Sequence, residues 1–345
     1  MTDLVKVEDF ELSAELKEIK DAAREVIDAS ISPNTRRAYE AQFRSFTAFC
    51  VKFGLVSIPA KPETVAGYVG YMVKSGKSTS GIVQAIAAIK MAHKRWIDDL
   101  KRKAAAGDVD MKMPDDPTAS ALVKAAVGGA RRTLGTAPHK KAAATVDVVR
   151  ALLDGLDRST VQGKRDAAIL LLGFAGAFRR SELVALDVSD LERTTAKDGK
   201  GAYLVHIRHS KTDQEGAGLI KAVFSTKSRA MNPVAALDEY MTAAQITDGP
   251  IFRRVRRGDH VESERLTGRS VALIVKAAAA RAGVDLDLAG HSLRSGFITS
   301  ALAAGASERS VMNQSGHRSV TVMRGYQQRA NALQDNAAAG LAGLM

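Results

Sequence analysis

GHSLRSG at residues 290–296 and SGHRSVTVMRGY at residues 315–326 lie near the end of the chain. His291 and Arg294 are three positions apart, so they share one face if the first stretch is helical. His317 follows in the second stretch, and Tyr326 comes nine residues after it. This group of cationic side chains, ending in a tyrosine, indicates a site that holds a phosphodiester against a phenolic nucleophile.

Two upstream stretches supply further charged side chains. GAFRRSELVAL, at 176–186, carries Arg179 and, three residues later, Glu182. HIRHSKTDQEGAG, at 206–218, carries Lys211 between two apolar runs that are typical of strands. An arginine can donate two parallel hydrogen bonds to phosphate oxygens, and a lysine at the tip of a β-hairpin can deliver a proton to a leaving oxygen.

In their order along the chain, these residues resemble the catalytic set of the tyrosine recombinase (phage integrase) family. The matching positions are Arg179, Lys211, His291, Arg294, His317 and Tyr326, with Glu182 at the acidic position of the first-arginine motif. The resemblance covers about residues 143–330, and a weaker one through SPNTRRAYEAQF, at 32–43, extends it to the N-terminal DNA-binding domain of such enzymes. Chain length and the helical extension before that domain look closer to the simple Cre-like and Xer-like members.

The resemblance implies a fold, a reaction and partners. The expected fold is mainly α, with a helical core-binding domain and an integrase catalytic domain that contains a small antiparallel β-sheet. The expected enzyme is a site-specific DNA recombinase that cleaves and rejoins strands through a 3′-phosphotyrosyl intermediate on Tyr326, without metal, other cofactor or ATP. Its expected partner is double-stranded DNA with inverted-repeat sites, bound by a homotetramer on paired sites. Glu182 would orient basic residues in this scheme.

Two other functions agree with parts of the pattern. A type IB topoisomerase would use similar tyrosine chemistry but relax supercoils with little site preference. A non-catalytic DNA-binding or architectural protein could keep the fold, although a pure binding protein has no need of a tyrosine at position 326.

Composition and charge favour a polyanionic partner. The 345 residues carry a formal net charge of +12, and residues 1–30 hold nine acids against four Lys or Arg, so the remainder is more basic than the whole. Surface Lys and Arg gain affinity for phosphates by displacing counterions. Cys50 is the only cysteine, and no apolar run of membrane-spanning length occurs. We therefore expect a cytoplasmic, nucleoid-associated protein that does not bind membranes.

Changes in pattern divide the chain into five segments. RTLGTAPHKKAAAT has Gly, Pro and basic residues but no apolar period, which is typical of a domain boundary. The predicted segments are an acidic amphipathic helical extension (1–30), a helical core DNA-binding domain (31–132), a basic linker (133–144), the catalytic domain (145–331) and a C-terminal subunit-docking tail (332–345). In the first helix of the DNA-binding domain, Tyr39, Phe43, Phe46, Cys50 and Phe53 are expected to form the buried stripe.

Basic residues outside the catalytic set are candidates for contact with the DNA backbone. Some lie off the apolar stripe of the first helix, some in the linker, and some in the RRVRRG cluster that begins at residue 253. The candidates are Arg36, Arg37, Arg44, Lys140, Lys141, Arg253 and Arg254.

Overall fold

The computed structural model describes residues 31–105, 113–136, 141–208 and 218–319, together with residues 18, 19, 22 and 26. By its internal contacts the chain forms two compact units, Met1–His139 and Lys140–Met345. Most of the predicted extension at 1–30 and all of the predicted tail at 332–345 lie outside the described residues.

The described part of the first unit is helical. Its helices are α1 (Pro33–Lys52), α2 (Pro62–Lys74), α3 (Thr79–Ala105) and α4 (Ala121–Leu134), with a short 3-10 turn at Pro117–Ala119. Ser32 begins α1 by accepting a hydrogen bond from the Thr35 N–H at 3.3 Å, and Pro33 occupies the first turn. The core between the helices is built from aromatic and β-branched side chains, among them Phe46, Tyr68, Ile82 and Ile89.

The apolar stripe of α1 ends differently from the sequence expectation. Phe53 is 52% exposed, whereas Phe49, which was not assigned to the stripe, is 8% exposed. The physical reason is that α1 ends at Lys52, so Phe53 is the C-cap residue and no longer follows the helical period. Its ring instead packs on the rings of Phe49 and Tyr71, with centroids 5.0 and 6.2 Å away.

The second unit combines helices with two small antiparallel sheets. Its helices are α5 (Val146–Asp154), α6 (Val161–Ala175), α7 (Arg180–Ala185), α8 (Pro233–Ala243), α9 (Gly268–Arg281), α10 (Ser292–Ala303) and α11 (Glu308–Ser315). α6 is the central helix, buried continuously from Arg165 to Gly173, and it packs against α8 and α10. The near-continuous apolar run AAILLLG, at 167–173, accounts for most of this burial.

The larger sheet has three strands in the order β1-β2-β3. The strands are β1 (Leu191–Thr195), β2 (Gly201–Ile207) and β3 (Leu219–Phe224), and both pairs are antiparallel. This confirms the predicted small antiparallel sheet. The two ends that flank the segment of Lys211 are neighbours, because Ile207 is paired with Leu219.

A second sheet, which the sequence did not predict, is a hairpin of β4 (Arg253–Arg256) and β5 (His260–Arg265). Gly258 and Asp259 turn the chain with positive φ angles of 81° and 59°. The Asp259 carboxylate accepts from the N–H groups of Val161 at 3.0 Å and Gln162 at 3.2 Å, so the hairpin tip caps the first turn of α6. None of the described helices is long and apolar enough to cross a membrane.

Candidate active site

Arg179 and Glu182 are held together at the start of α7. Glu182 accepts the Arg179 N–H on Oε2 at 3.0 Å, and its Oε1 accepts from the Arg179 guanidinium at 2.5 Å. The Glu182 side chain is 1% exposed, so this carboxylate is buried behind the arginine. A buried carboxylate that holds both the main chain and the side chain of Arg179 fixes the direction in which the guanidinium points.

Lys221 is a second cation on Glu182. It lies on β3 with 0% exposure, and its Nζ donates to Glu182 Oε2 at 3.1 Å. Burial alone would raise the pKa of Glu182, but the charge of Lys221 and the hydrogen bonds from Arg179 outweigh it and lower that pKa. Glu182 is therefore an anion in the folded protein.

The turn between α6 and α7 connects these groups to Arg294. Ala177 has a positive φ of 47°, and its carbonyl accepts from Arg294 Nη1 at 2.9 Å and from Lys221 Nζ at 3.2 Å. Gly176 is required beside it, because a Cβ there would lie 2.1 Å from the Phe178 ring. This one peptide thus contacts two cations from distant parts of the chain.

Arg294 projects from α10 and is fully buried, and its Nη2 donates to His317 Nε2 at 3.1 Å. Ser315 Oγ donates to the Val311 carbonyl at 2.6 Å, so it accepts from His317 Nδ1 at 2.8 Å. These contacts assign the proton of a neutral His317 to Nδ1 and the lone pair to Nε2. Burial, followed by the charges of Arg294 and Arg179, lowers the pKa of His317 to about 4.

His291 is the N-cap residue of α10 and is exposed. The protein around it still lowers its pKa by desolvation, and the charges of Arg294, Arg179 and Arg180 lower it further. The charges of Arg294 and Arg179 also lower the pKa of His317, as do those of His291 and Lys221. The structure therefore brings together five of the seven residues predicted for the catalytic set: Arg179, Glu182, His291, Arg294 and His317.

The other two predicted catalytic residues, Lys211 and Tyr326, lie outside the described residues. The cluster itself presents fixed cationic donors and two neutral imidazoles. Such an arrangement can bind the oxygens of a tetrahedral oxyanion and can move a proton near neutral pH. In the described parts of the chain, no group of three or more His, Cys, Asp or Glu side chains could hold a metal ion.

The predicted DNA-backbone residues of the first unit all lie on α1. Arg36 is partly buried, whereas Arg37 and Arg44 are exposed. Arg37 donates within its own helix, to Asn34 Oδ1 at 2.8 Å and the Pro33 carbonyl at 3.4 Å. Their contact with DNA stays a prediction.

In the second unit, Lys140 is outside the described residues and Lys141 pairs with Asp287 at 2.6 Å. Arg253 is turned back onto its own loop, where it donates to the Pro250 carbonyl at 2.8 Å and its side chain is 17% exposed. Arg254 is 61% exposed and lies 3.6 Å from Glu262, so of this adjacent pair it is the more available to a phosphate.

Sequence reasoning missed three residues that support the cluster. Lys221 is the buried cation on Glu182. Gln314 Nε2 donates to the carbonyls of Ala175 at 3.1 Å and Ala222 at 2.8 Å, and Ser315 Oγ accepts from His317 Nδ1. Gln314 and Ser315 directly precede the quoted GHR tripeptide, and their position in that motif could have identified them. Nothing in the local sequence of β3 marks Lys221.

Two sequence comparisons agree with this geometry. Residues 143–332 match the phage integrase family. The integrase/recombinase xerD homolog of Selenomonas ruminantium is 34% identical over 316 residues, which cover 91% of this chain and 87% of that protein. The tyrosine recombinase XerD of Listeria monocytogenes is 25% identical over 308 residues, which cover 87% of this chain and 90% of that protein.

The fold also has neighbours among solved structures. A lambda integrase tetramer bound to a Holliday junction aligns with a TM-score of 0.57 and 15% identity, over 93% of this chain and 79% of that chain. The Tn1549 transposon integrase in complex with transposon right end DNA aligns with a TM-score of 0.56 and 16% identity, over 94% and 97%. These two similarities concern the fold; with the family match and the Selenomonas relative, they confirm the resemblance first seen in the motifs. The chain belongs to the phage integrase family of tyrosine recombinases.

Proposed function

We propose that this protein is a site-specific DNA recombinase in which Tyr326 is the nucleophile. The observation that carries the proposal is the buried Arg294, which is fixed by the Ala177 carbonyl and His317 beside the Arg179–Glu182 pair. A fully buried guanidinium is costly to maintain, and here it lies among groups suited to an anionic substrate. The relatives named above are recombinases and integrases.

The proposed cleavage is a transesterification. The Tyr326 oxygen bonds to the scissile phosphorus while the bond to the 5′ oxygen breaks, so a 3′-phosphotyrosyl enzyme and a 5′-hydroxyl form. The phenol loses a proton and the 5′ oxygen gains one, from Lys211. Attack by a 5′-hydroxyl reverses the step and rejoins the strand. Because the phosphodiester bond count is conserved, neither ATP nor a metal-activated water is needed.

Arg179 and Arg294 would stabilise the non-bridging oxygens, where negative charge grows in the transition state. His291 and His317 have lowered pKa values and are therefore neutral at pH 7 before DNA binds. The neutral imidazole of His291 can accept the phenol proton, and the charge of an incoming phosphate would favour its protonated form. The lone pair of His317 already accepts from Arg294. We assign Glu182 an orienting role, because both of its oxygens are already occupied.

The proposed substrate is double-stranded DNA with inverted repeats, bound by a homotetramer on two paired sites. The lambda integrase structure with a Holliday junction is a tetramer, and it supports this assembly by similarity of fold. We propose residues 31–132 as the core DNA-binding domain, 133–144 as a linker, 145–331 as the catalytic domain and 332–345 as a subunit-docking tail. Since the substrate is genomic DNA, the protein would work in the cytoplasm at the nucleoid.

The test is a covalent trap. The protein is incubated in EDTA with fragments of its own flanking and host DNA, the mixture is quenched with SDS, and the DNA that stays attached is sequenced. Tyr326→Phe is the test variant, and Tyr71→Phe, which removes an exposed phenol from α2, is the matched control.

We expect an adduct at one recurrent inverted repeat with the unsubstituted protein and with Tyr71→Phe, and none with Tyr326→Phe. Adducts scattered over many sequences would indicate a topoisomerase instead. Tight DNA binding without any adduct would overturn the proposal in favour of an architectural protein.

A further inference from the structure

Lys221 is a fully buried lysine on a short strand, and every hydrogen bond that its ammonium group can donate is made. Nζ donates to Glu182 Oε2 at 3.1 Å, to the Gly176 carbonyl at 3.1 Å and to the Ala177 carbonyl at 3.2 Å. It also lies 4.6 Å from the centroid of the Phe178 ring. An ammonium group has three donors, so Lys221 has none left for a substrate.

The sheet itself does not need a charge at this position. Val223, two residues along the same face of β3, is buried and apolar, and an apolar side chain could fill the space of Lys221 as well. Burial lowers the pKa of Lys221 to about 8 although Glu182 raises it, so the fold keeps the charge at a cost. All contacts of the ammonium go to residues 176–182, the segment that carries Arg179.

The position of the charge explains its use. Glu182 holds Arg179 through two hydrogen bonds, but a lone carboxylate beside a guanidinium also cancels part of its field. Lys221, on the same carboxylate oxygen as the Arg179 N–H, supplies the opposite charge. Around the cluster, Arg179, Arg294 and Lys221 then outweigh Glu182, and the site is cationic before DNA arrives.

We propose that Lys221 is a positioning residue that acts as the counter-ion of Glu182, so that Glu182 can fix Arg179 without cancelling the positive charge offered to the scissile phosphate. The inference rests on the proposed function, and it adds to that reaction a residue outside the predicted catalytic set. Lys221 acts through Glu182 and Arg179 and does not itself touch the substrate.

The test is a double-mutant cycle on cleavage rate. The variants are Lys221→Met, which keeps the aliphatic stem without the charge, Glu182→Gln, and the two combined. The substrate is a synthetic nicked duplex carrying the inverted repeat that the covalent trap recovers. Adduct formation is measured at saturating protein, with DNA affinity and melting temperature in parallel.

We expect Lys221→Met to slow adduct formation about tenfold or more, a fraction of the loss when an oxyanion donor is removed outright, with DNA affinity unchanged. Once Glu182 is neutral, Lys221 has no charge to balance. The double variant should therefore cleave at the rate of Glu182→Gln alone, within about twofold, and faster than Lys221→Met. A purely structural lysine would instead slow the double variant further.

The comparison of Glu182→Gln with the double variant remains decisive even if Lys221→Met does not fold. Lys200→Met, which removes an exposed lysine from the turn before β2, is the matched control and should cleave at the unsubstituted rate. The counter-ion role would be overturned, while the proposed function stands, if Lys221→Met cleaved at the rate of the unsubstituted protein. A double variant that cleaves more slowly than Glu182→Gln would overturn it as well. An unsubstituted protein that forms no adduct would overturn both.

Discussion

Arg294 and His317 are joined directly, side chain to side chain, with Arg294 Nη2 donating to His317 Nε2 across 3.1 Å. A protonated His317 would turn a donor toward this guanidinium, so the contact requires the neutral ring. Ser315 fixes the tautomer of that neutral ring, because its Oγ accepts a hydrogen bond from Nδ1 and so leaves the lone pair on Nε2. The pKa of about 4 follows from burial of the ring first, and then from the charges of Arg294 and Arg179.

Acidification should destabilise the protein through His317. Its pKa is about 4 in the folded chain against 6.5 as the ordinary value, so between these values the unfolded chain binds more protons. The contribution is present above pH 6.5 and is lost as pH falls toward 4. In His317→Gln, the drop in unfolding free energy between pH 7 and pH 4.5 should be smaller by on the order of 1–2 kcal/mol. Chemical denaturation at both pH values measures this drop in unfolding free energy. Equal drops in the unsubstituted protein and in His317→Gln would contradict the lowered pKa of His317.

Gln314→Leu should slow cleavage without weakening DNA binding. The amide ties α11 to the end of α6 and to β3, three residues before His317, and leucine would leave two carbonyls without their donor. We expect about 1–3 kcal/mol lower stability and about tenfold slower adduct formation. Asn313→Leu, at the exposed neighbouring position, is the control. Equal cleavage rates for the two variants would show that the position of α11 does not depend on the hydrogen bonds of Gln314.

Gly296→Ala should destabilise the second unit by about 2 kcal/mol or more. A Cβ at this position in α10 would lie 1.7 Å from the Ala144 carbonyl, on a segment that is bound to α10 through the Ala144 N–H and the Ser292 carbonyl at 2.9 Å. Gly129→Ala in α4 meets nothing within 4 Å and should gain about 0.5–1 kcal/mol. Thermal unfolding of both variants tests the contrast, and a loss for Gly129→Ala as large as for Gly296→Ala would refute it.

Removal of residues 332–345 should reduce assembly more than binding to a single site. This tail, ALQDNAAAGLAGLM at 332–345, is rich in small apolar residues suited to docking on a neighbouring subunit. Gel shifts on one-site DNA and paired-site synapsis assays separate the two effects. Normal synapsis by the truncated protein would rule out the docking role.

Adduct formation should be unchanged in EDTA. The proposed step uses side-chain cations for the charge that a divalent metal would otherwise neutralise. Covalent trapping is compared in EDTA and in Mg²⁺. Loss of the adduct in EDTA, with DNA still bound, would show that the mechanism needs a metal.

The sequence could predict the parts of the site that depend on motif order. Arg294 lies in the first turn of α10 and His291 is the N-cap residue of that helix, as their spacing indicated, and strands β2 and β3 followed from the two apolar runs that flank Lys211. Lys221 shows the limit. In β3, Ile220 and Phe224 share the more apolar face, which alternation would turn inward, yet they are 57% and 52% exposed. The face that carries Lys221 is buried instead, because Lys221 pairs with Glu182. Glu182 lies on a segment far away in the sequence, so the alternation within β3 cannot reveal this pairing.

The second hairpin escaped prediction for a similar reason. RRVRRG has too many charges to alternate as a half-buried strand, and its pairing depends on Val255 opposite Val261 and on Asp259 at the start of α6. Phe53 was misplaced because the end of α1, and with it the helical period, comes one residue earlier. In each case a tertiary or end effect overrode a local pattern.

The Ala177 carbonyl, which accepts from both Arg294 and Lys221, has a consequence for building hybrid enzymes. A homologous segment grafted in place of residues 176–182 would bring its own turn geometry, while Lys221 and Arg294 would remain fitted to the old one. Chimaeras that exchange all three together should keep activity better than those that exchange the arginine motif alone. In libraries of recombined homologues, the segment 176–182, Lys221 and Arg294 should then be exchanged together.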